Sequence, residues 1–214
     1  MEHKGTQTLQ TERLTLRRFR ETDAAAAYRN WCSEDAVTRF LTWAAHADMS
    51  ATEAVLADWV SRYADPAFYQ WAIVLKSIGE PIGSISVVRQ SDRVDALSIG
   101  YCIGSRWWGQ GLTAEAFCAV IAFLFDAVGA NRIEARHDPN NPNSGRVMQK
   151  CGLHYEGTLR QADVNNQGIV DLCVYSILRR EYEKASKGML HNADSNVGEG
   201  LAPPVQQECK SNKI

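Results

Sequence analysis

Apolar and polar residues alternate over 13–20, with Leu14, Leu16 and Phe19 at the apolar positions, and the pattern predicts a first strand. Thr22 or Asp23 is then placed to accept from the first free amides of an alanine-rich helix that ends near Cys32. Ser50 and Glu53 stand at capping-box spacing before a second helix, in which Val55, Leu56, Trp59, Val60 and Tyr63 recur with helical period. Three strand-like runs follow at 70–76, 81–89 and 96–103. Gly79-Glu80 and Ser91-Asp92 separate them, and such short connections favour antiparallel hairpins. A glycine-rich turn over 104–111 then opens a long apolar helix at 112–128, closed by Gly129, before a short strand at 132–137. Strand, helix and strand in that order imply one parallel crossover. After the loop Asp138-Pro139-Asn140-Asn141-Pro142, a helix over about 144–151 ends at Gly152. Two last strands, 154–160 and 169–178, flank a turn at Asn165-Asn166-Gln167-Gly168. The expected fold is α+β, a mixed and mostly antiparallel central sheet of about seven strands with helices on both faces. It is not a doubly wound parallel sheet, which needs more than one crossover.

The chain has 214 residues, the size of one domain with an appendage. Residues 1–10 are polar and are expected to be a flexible lead-in to a domain over 11–185. Residues 186–214, rich in Gly, Asn, Ser, Pro and Gln, are expected to form a disordered tail. Formal net charge is −2 and no basic run stands out, which argues against a nucleic-acid partner. No apolar stretch approaches the ~20 residues of a membrane span. The start carries no signal-peptide pattern, so a cytoplasmic protein is expected. None of the six cysteines forms a C-x-x-C pair and the histidines do not cluster beside them. Buried reduced thiols, with no metal site, are expected.

The stretch richest in chemistry is Arg106-Trp107-Trp108-Gly109-Gln110-Gly111-Leu112-Thr113-Ala114-Glu115. It follows a strand and opens a helix. Two glycines let the backbone approach a ligand, the free amides of the helix start converge, and Arg106 adds charge; together they suit a pyrophosphate. Two other readings stay open. One is a glycine-rich turn that only caps the helix. The other is a dinucleotide fingerprint, G-x-G-x-x-A with Glu134 about twenty residues on, which the single crossover disfavours.

R-x-x-G-Q-G after the strand SIGYCIG resembles the acetyl-CoA pyrophosphate loop of the GNAT acetyltransferase superfamily. Downstream, Asn131-Arg132-Ile133-Glu134-Ala135-Arg136, Asp138-Pro139, Asn141, Ser144, Arg146-Val147, Lys150, Gly152-Leu153 and Glu156-Gly157-Thr158-Leu159-Arg160 resemble the ribosomal-protein N-terminal acetyltransferases of the RimJ/RimL type. The resemblance covers about 11–183. It implies a twisted sheet whose strands 96–103 and 132–137 part near the glycine loop, with pantetheine in the gap. Main-chain groups near Cys102 and Ile103 would pair with its amides like an added strand. The diphosphate site would comprise Arg106, Trp108, Gly109, Gln110, Gly111, Leu112 and Thr113. Asn141 matches a position that bonds the pantetheine arm, or else serves as a helix cap. Ser144 matches the position facing the coenzyme sulfur, where a hydroxyl can protonate the leaving thiolate, and it also suits a helix N-cap. Arg146 would support coenzyme A or pair with an acid.

Ser98 stands where many superfamily members carry a glutamate base. Asp163, after the E-G-x-L-R strand, is therefore the first choice of base, with Glu134 and His137 in reserve. An acceptor pocket is expected from residues 31–49 and the turn between the last strands. Trp31, Phe40, Trp43, His46, Tyr69 and Trp71 are its aromatic candidates, and Asp35, Asp48 and Asp163 could attract a cation. Trp59 and Trp71 are expected in the core instead. The implied activity is direct acetyl transfer from acetyl-CoA to a primary amine, a protein N-terminus or else an antibiotic, polyamine or amino-acid amine. The enzyme would be a monomer or homodimer. A coenzyme-binding regulator without turnover is the non-enzymatic alternative.

Overall fold

The computed structural model describes residues 1–185, so the expected tail lies outside the described residues. The chain divides into two units, Met1–Arg179 and Arg180–Ile214, and the first holds the whole sheet.

Eight strands form one sheet: β1 (Leu9–Gln10), β2 (Leu14–Arg17), β3 (Gln70–Leu75), β4 (Glu80–Ser91), β5 (Ala96–Ile103), β6 (Arg132–His137), β7 (His154–Asn165) and β8 (Gly168–Leu178). Their order is β1-β2-β3-β4-β5-β6-β8-β7. Every pair is antiparallel except β5 with β6, which runs parallel because the helix α4 (Leu112–Phe123) connects them. This is the expected α+β sheet, with β1 as an additional strand. Two residues with one polar exposed side chain carry too little alternation to be read from sequence.

The other α-helices of the first unit are α1 (Ala24–Ala27), α2 (Asp35–Thr38), α3 (Met49–Arg62) and α5 (Pro142–Lys150), with π-type turns at Tyr28–Cys32 and, continuing α4, at Leu124–Val128. Strand alternation sends β3 side chains into two cores. Ala72 and Val74 pack in a cluster with Phe19, Ala27, Trp31 and Leu56. Trp71 turns the other way and meets Phe123 of α4 edge-on, with ring centroids 5.9 Å apart. Trp31, Tyr69 and Trp71 are thus core side chains and do not line an acceptor pocket.

Three local expectations change. Asp48, not Ser50, caps α3: its carboxylate accepts from the Ala51 N–H at 3.2 Å. Asp23 forms a two-oxygen ion pair with Arg17, at 2.7 and 2.8 Å, instead of capping the alanine helix. Residues 1–10, expected to be flexible, are docked. Glu2 N–H bonds the Val128 carbonyl at 2.8 Å, Gly5 N–H bonds Pro66, and the Gln7 carbonyl accepts from Trp71 Nε1 at 2.7 Å. Buried polar groups of the core thereby find partners in a segment whose own sequence is uninformative.

Candidate active site

The site begins where two neighbouring strands part. Parallel pairing of β5 and β6 runs from Ala96↔Arg132 to Ile99↔Ala135 and stops. Gly104 N–H bonds the Ile82 carbonyl at 2.9 Å, and this sets the parity of β5: even-numbered residues turn their backbone toward β4. Tyr101 and Ile103 turn theirs toward the side that β6 has left. The expected pairing groups at Cys102 and Ile103 therefore shift to Tyr101 and Ile103. Cys102 faces Ser84 across the β4 ladder, and burial pushes its thiol up, away from the nucleophilic thiolate. The Ile103 carbonyl accepts from Trp108 Nε1 at 2.9 Å, which leaves the Ile103 N–H facing the gap and pins the exposed Trp108 ring across the strand end.

The loop that follows is built from backbone. Trp107 N–H bonds Gly104 at 3.0 Å and Trp108 N–H bonds Ser105 at 3.1 Å, closing a single 3₁₀ turn. Gly109 and Gly111 then take φ of +74° and +77°, left-handed backbone that costs an L side chain roughly 1–2 kcal/mol. Gly111 is the N-cap of α4 and supplies no side chain to the free amides. The first α4 amide with a carbonyl partner is Glu115, on Gly111 at 3.0 Å. The N–H groups of residues 109–114 have no partner among the described residues. Together with the helix dipole and exposed Arg106, they form a concentration of positive potential with little side-chain cover.

Arg13, just before β2, reaches this loop from across the sheet. Its Nη1 donates to the Gln110 carbonyl at 3.0 Å and its Nε to Glu115 Oε2 at 2.7 Å. Glu115 also accepts from Thr11 Oγ1 at 2.6 Å and from the Arg13 N–H at 2.9 Å. Burial raises the Glu115 carboxyl, but these bonds outweigh it and hold the group below its ordinary range.

On the α4 side of the gap, Tyr101 packs on Phe117 and its hydroxyl lies 3.0 Å from both Ser144 Oγ and the Ser144 carbonyl. Burial raises the Tyr101 phenol above its ordinary value, so it stays a protonated donor. Ser144 sits in the first turn of α5, whose N-cap position is Asn141. The Asn141 side chain makes no capping hydrogen bond, so its amide is free for another partner.

On the other face, even-numbered Ser98 and Gly100 of β5 border a cavity of about 150 Å³ with Arg136, His137, Asp138 and Asp163. Phe40, Thr42, Val88 and Val164 also line it. Asp163 arrives there through a bulge: Leu159 pairs with Leu172 but Asp163 with Val170, so β7 carries two residues more than β8. Gln161 takes φ +49° in this bulge and donates its N–H to Asp171 at 2.8 Å. The turn after β7 is clamped to the 38–43 segment by Asn166 Nδ2, which donates to the Thr38 and Trp43 carbonyls at 2.8 and 2.7 Å.

The carboxylates differ in freedom. Asp138 is buried and accepts from Asn140 N–H and Asn165 Nδ2, both at 2.8 Å. Glu134 is held between Arg132 at 3.0 Å and Arg136 at 2.6 Å. Among the described residues, Asp163 accepts only from the adjacent Val164 N–H, at 2.9 Å through Oδ1. His137 Nδ1 lies 2.8 Å from the Asp138 carbonyl, and its Nε2 is buried without a partner among the described residues.

Comparison with known proteins agrees with this geometry. Residues 13–154 match the Acetyltransferase (GNAT) domain family. The chain belongs to the GNAT acetyltransferases. The N-acetyltransferase YoaA of Bacillus subtilis (strain 168) is 30% identical over 171 residues, covering 80% of this chain and 96% of its own length. The [Ribosomal protein uS5]-alanine N-acetyltransferase of Escherichia coli (strain K12) is 38% identical over 72 residues, covering 34% of this chain and 36% of its own. The microcin C7 self-immunity acetyltransferase MccE, solved with acetyl-CoA and AMP, shares the fold with a TM-score of 0.71 at 19% identity, covering 78% of this chain and 93% of its own. This GNAT chain is an N-acetyltransferase, with relatives named as ribosomal-protein N-acetyltransferases, and no helix among its described residues is long and apolar enough to cross a membrane.

Within this GNAT domain, the predicted residues fall into two groups. Arg106, Trp108, Gly109, Gln110, Gly111, Leu112 and Thr113 form the loop and helix start, while Asn141 and Ser144 share the first turn of α5. Arg146 is exposed and bonds Asn143 Oδ1 at 2.9 Å, not an acid. Asp35 and Asp48 do not border the Asp163 cavity. Sequence reasoning missed Arg13 and Tyr101. Strand period places Tyr101 on the face opposite Ser98 and Gly100, but its meeting with Ser144 needs the packing of α5.

Proposed function

We propose that this enzyme transfers an acetyl group from acetyl-CoA to the α-amine of a polypeptide N-terminus by direct attack. The observation that carries the reading is the row of unpaired N–H groups at 109–114 beside a gap between β5 and β6. Acetyl-CoA would supply the activated acetyl thioester. The loop donors and Arg106 would hold its diphosphate, and the Tyr101 and Ile103 backbone with the free Asn141 amide would hold its pantetheine. Ser144, whose hydroxyl lies beside that of Tyr101, would give a proton to the sulfur as the carbon–sulfur bond breaks. Asp163, which lines the cavity, would take a proton from the incoming ammonium. His137 is the reserve base. An N-terminal acceptor is favoured by the uS5-alanine relative.

Thiol release from acetyl-CoA, measured with short peptides and with polyamine, amino-acid and aminoglycoside amines, tests this directly. Free-α-amine peptides should turn over at least about tenfold faster than their blocked forms and than the small amines. A preference for small amines would overturn the acceptor reading and leave acetyl transfer intact. Thermal stabilisation by NAD but not by acetyl-CoA would overturn the donor reading.

A further inference from the structure

The unpaired amides at 109–114 do not orient themselves, and the residue that turns one of them outward comes from just before β2, three strands away from β5 in the sheet. A trans peptide is planar, with its C=O and N–H pointing in opposite directions. The peptide between Gln110 and Gly111 is trans, and its carbonyl is held by Arg13 Nη1 at 3.0 Å. The Gly111 N–H therefore points away from Arg13. Were α4 one residue longer at its start, the Gln110 carbonyl would accept the Ala114 N–H; with Gly111 at φ +77° that carbonyl turns aside to Arg13 instead, and the Ala114 N–H has no partner among the described residues. Arg13 can act as a fixed arm because its other edge is tied to Glu115 at 2.7 Å, and Glu115 is tied in turn to Thr11 at 2.6 Å. The guanidinium is thus committed to protein partners on both edges, and the Arg13–Glu115 pair is formally neutral.

We infer that Arg13 is a positioning residue of the donor site, setting the Gly111 and Ala114 N–H groups toward the coenzyme diphosphate. This rests on the diphosphate reading above and adds a device to it.

The test compares acetyl-CoA with S-acetylpantetheine, which carries the same thioester but no diphosphate. The preference for acetyl-CoA, as a ratio of kcat/KM values, isolates the diphosphate contribution. The ratio should fall about tenfold or more in Arg13→Met. It should also fall in Arg13→Lys, which keeps the charge but cannot bond Gln110 and Glu115 together. A general packing defect would lower both substrates equally and leave the ratio unmoved. An unchanged ratio in Arg13→Met, or full restoration by Arg13→Lys, overturns the clamp. Should Arg13→Met fail to fold, the lysine variant decides. If the wild-type enzyme itself shows no preference for acetyl-CoA, the diphosphate reading fails first, an outcome distinct from failure of the clamp alone.

Discussion

The two flanks of the gap between β5 and β6 are built by different means. The proposed donor flank, residues 104–114, presents backbone amides on a strand-to-helix turn, and its chemistry follows from what is missing: no Cβ at 109 and 111, no capping side chain and, among the described residues, no carbonyl partners for the amides of 109–114. The proposed acceptor flank presents side chains that come from distant segments: Phe40 and Thr42, Ser98, Arg136 to Asp138, and Asp163 on a bulged edge strand. A backbone cradle recognises one invariant group, the diphosphate, and needs only local geometry. A side-chain cavity is assembled by tertiary packing, so it can change its preferred acceptor without disturbing the donor side.

The contrast can be broken most severely at Gly111. Gly111→Trp places a side chain at left-handed φ among the free amides, and kcat/KM for acetyl-CoA should fall about 10³-fold or more, as several charge-assisted bonds are lost. Thermal unfolding should show that the fold persists, and an affinity for acetyl-CoA near that of the wild type would show that the cradle is elsewhere. Asp163→Asn attacks the other flank. It should lower kcat about 10²-fold, with little change in acetyl-CoA affinity, and move the pH optimum upward because the amine must now lose its proton in solution. Full activity across the pH range would transfer the base role to His137 or solvent. Ser144→Ala, between the flanks, should lower kcat about tenfold, and the loss should be smaller with an acetyl thioester of a more acidic thiol, which needs less help to leave.

The smallest effect is expected away from both flanks. Arg132, by its hydrogen bonds, holds Glu156 at about 2, well below 4.5. A depressed carboxyl stabilises the fold above its unfolded value and loses that contribution as pH falls from about 4.5 toward 2. Glu156 is partly exposed, so Glu156→Gln should lower the melting temperature by only about 1–3 °C at pH 7. The difference between variant and wild type should narrow steadily below pH 4.5. A difference that stays constant to pH 2 would show that packing, not charge, is responsible.

Legibility in the sequence followed the same division. The strands 96–103 and 132–137 and the glycine loop were readable to the residue, because period-two alternation and a Gly-x-Gly before an apolar run are local signals. Asn141 and Ser144 were readable through family resemblance, yet their surroundings were not. That Asn141 leaves its amide uncapped, and that Ser144 meets Tyr101, depends on where α5 lands on the sheet. Asp163 was named from resemblance, but the two-residue bulge that brings it to the cavity has no periodic signature. The docked residues 1–10 and the β1 edge were illegible because their partners are Tyr69, Trp71 and Val128, far along the chain.

By itself the sequence determined the order of elements, the single crossover and a turn with free amides, since each follows from spacing and from glycine's conformational freedom over a few residues. Tertiary structure alone decided the parity that aims Tyr101 and Ile103 into the gap, the hold of Arg13 on Gln110 and the gathering of the acceptor cavity. Each of these joins residues widely separated along the chain, and no local pattern encodes which of many possible partners a side chain meets once the sheet has formed.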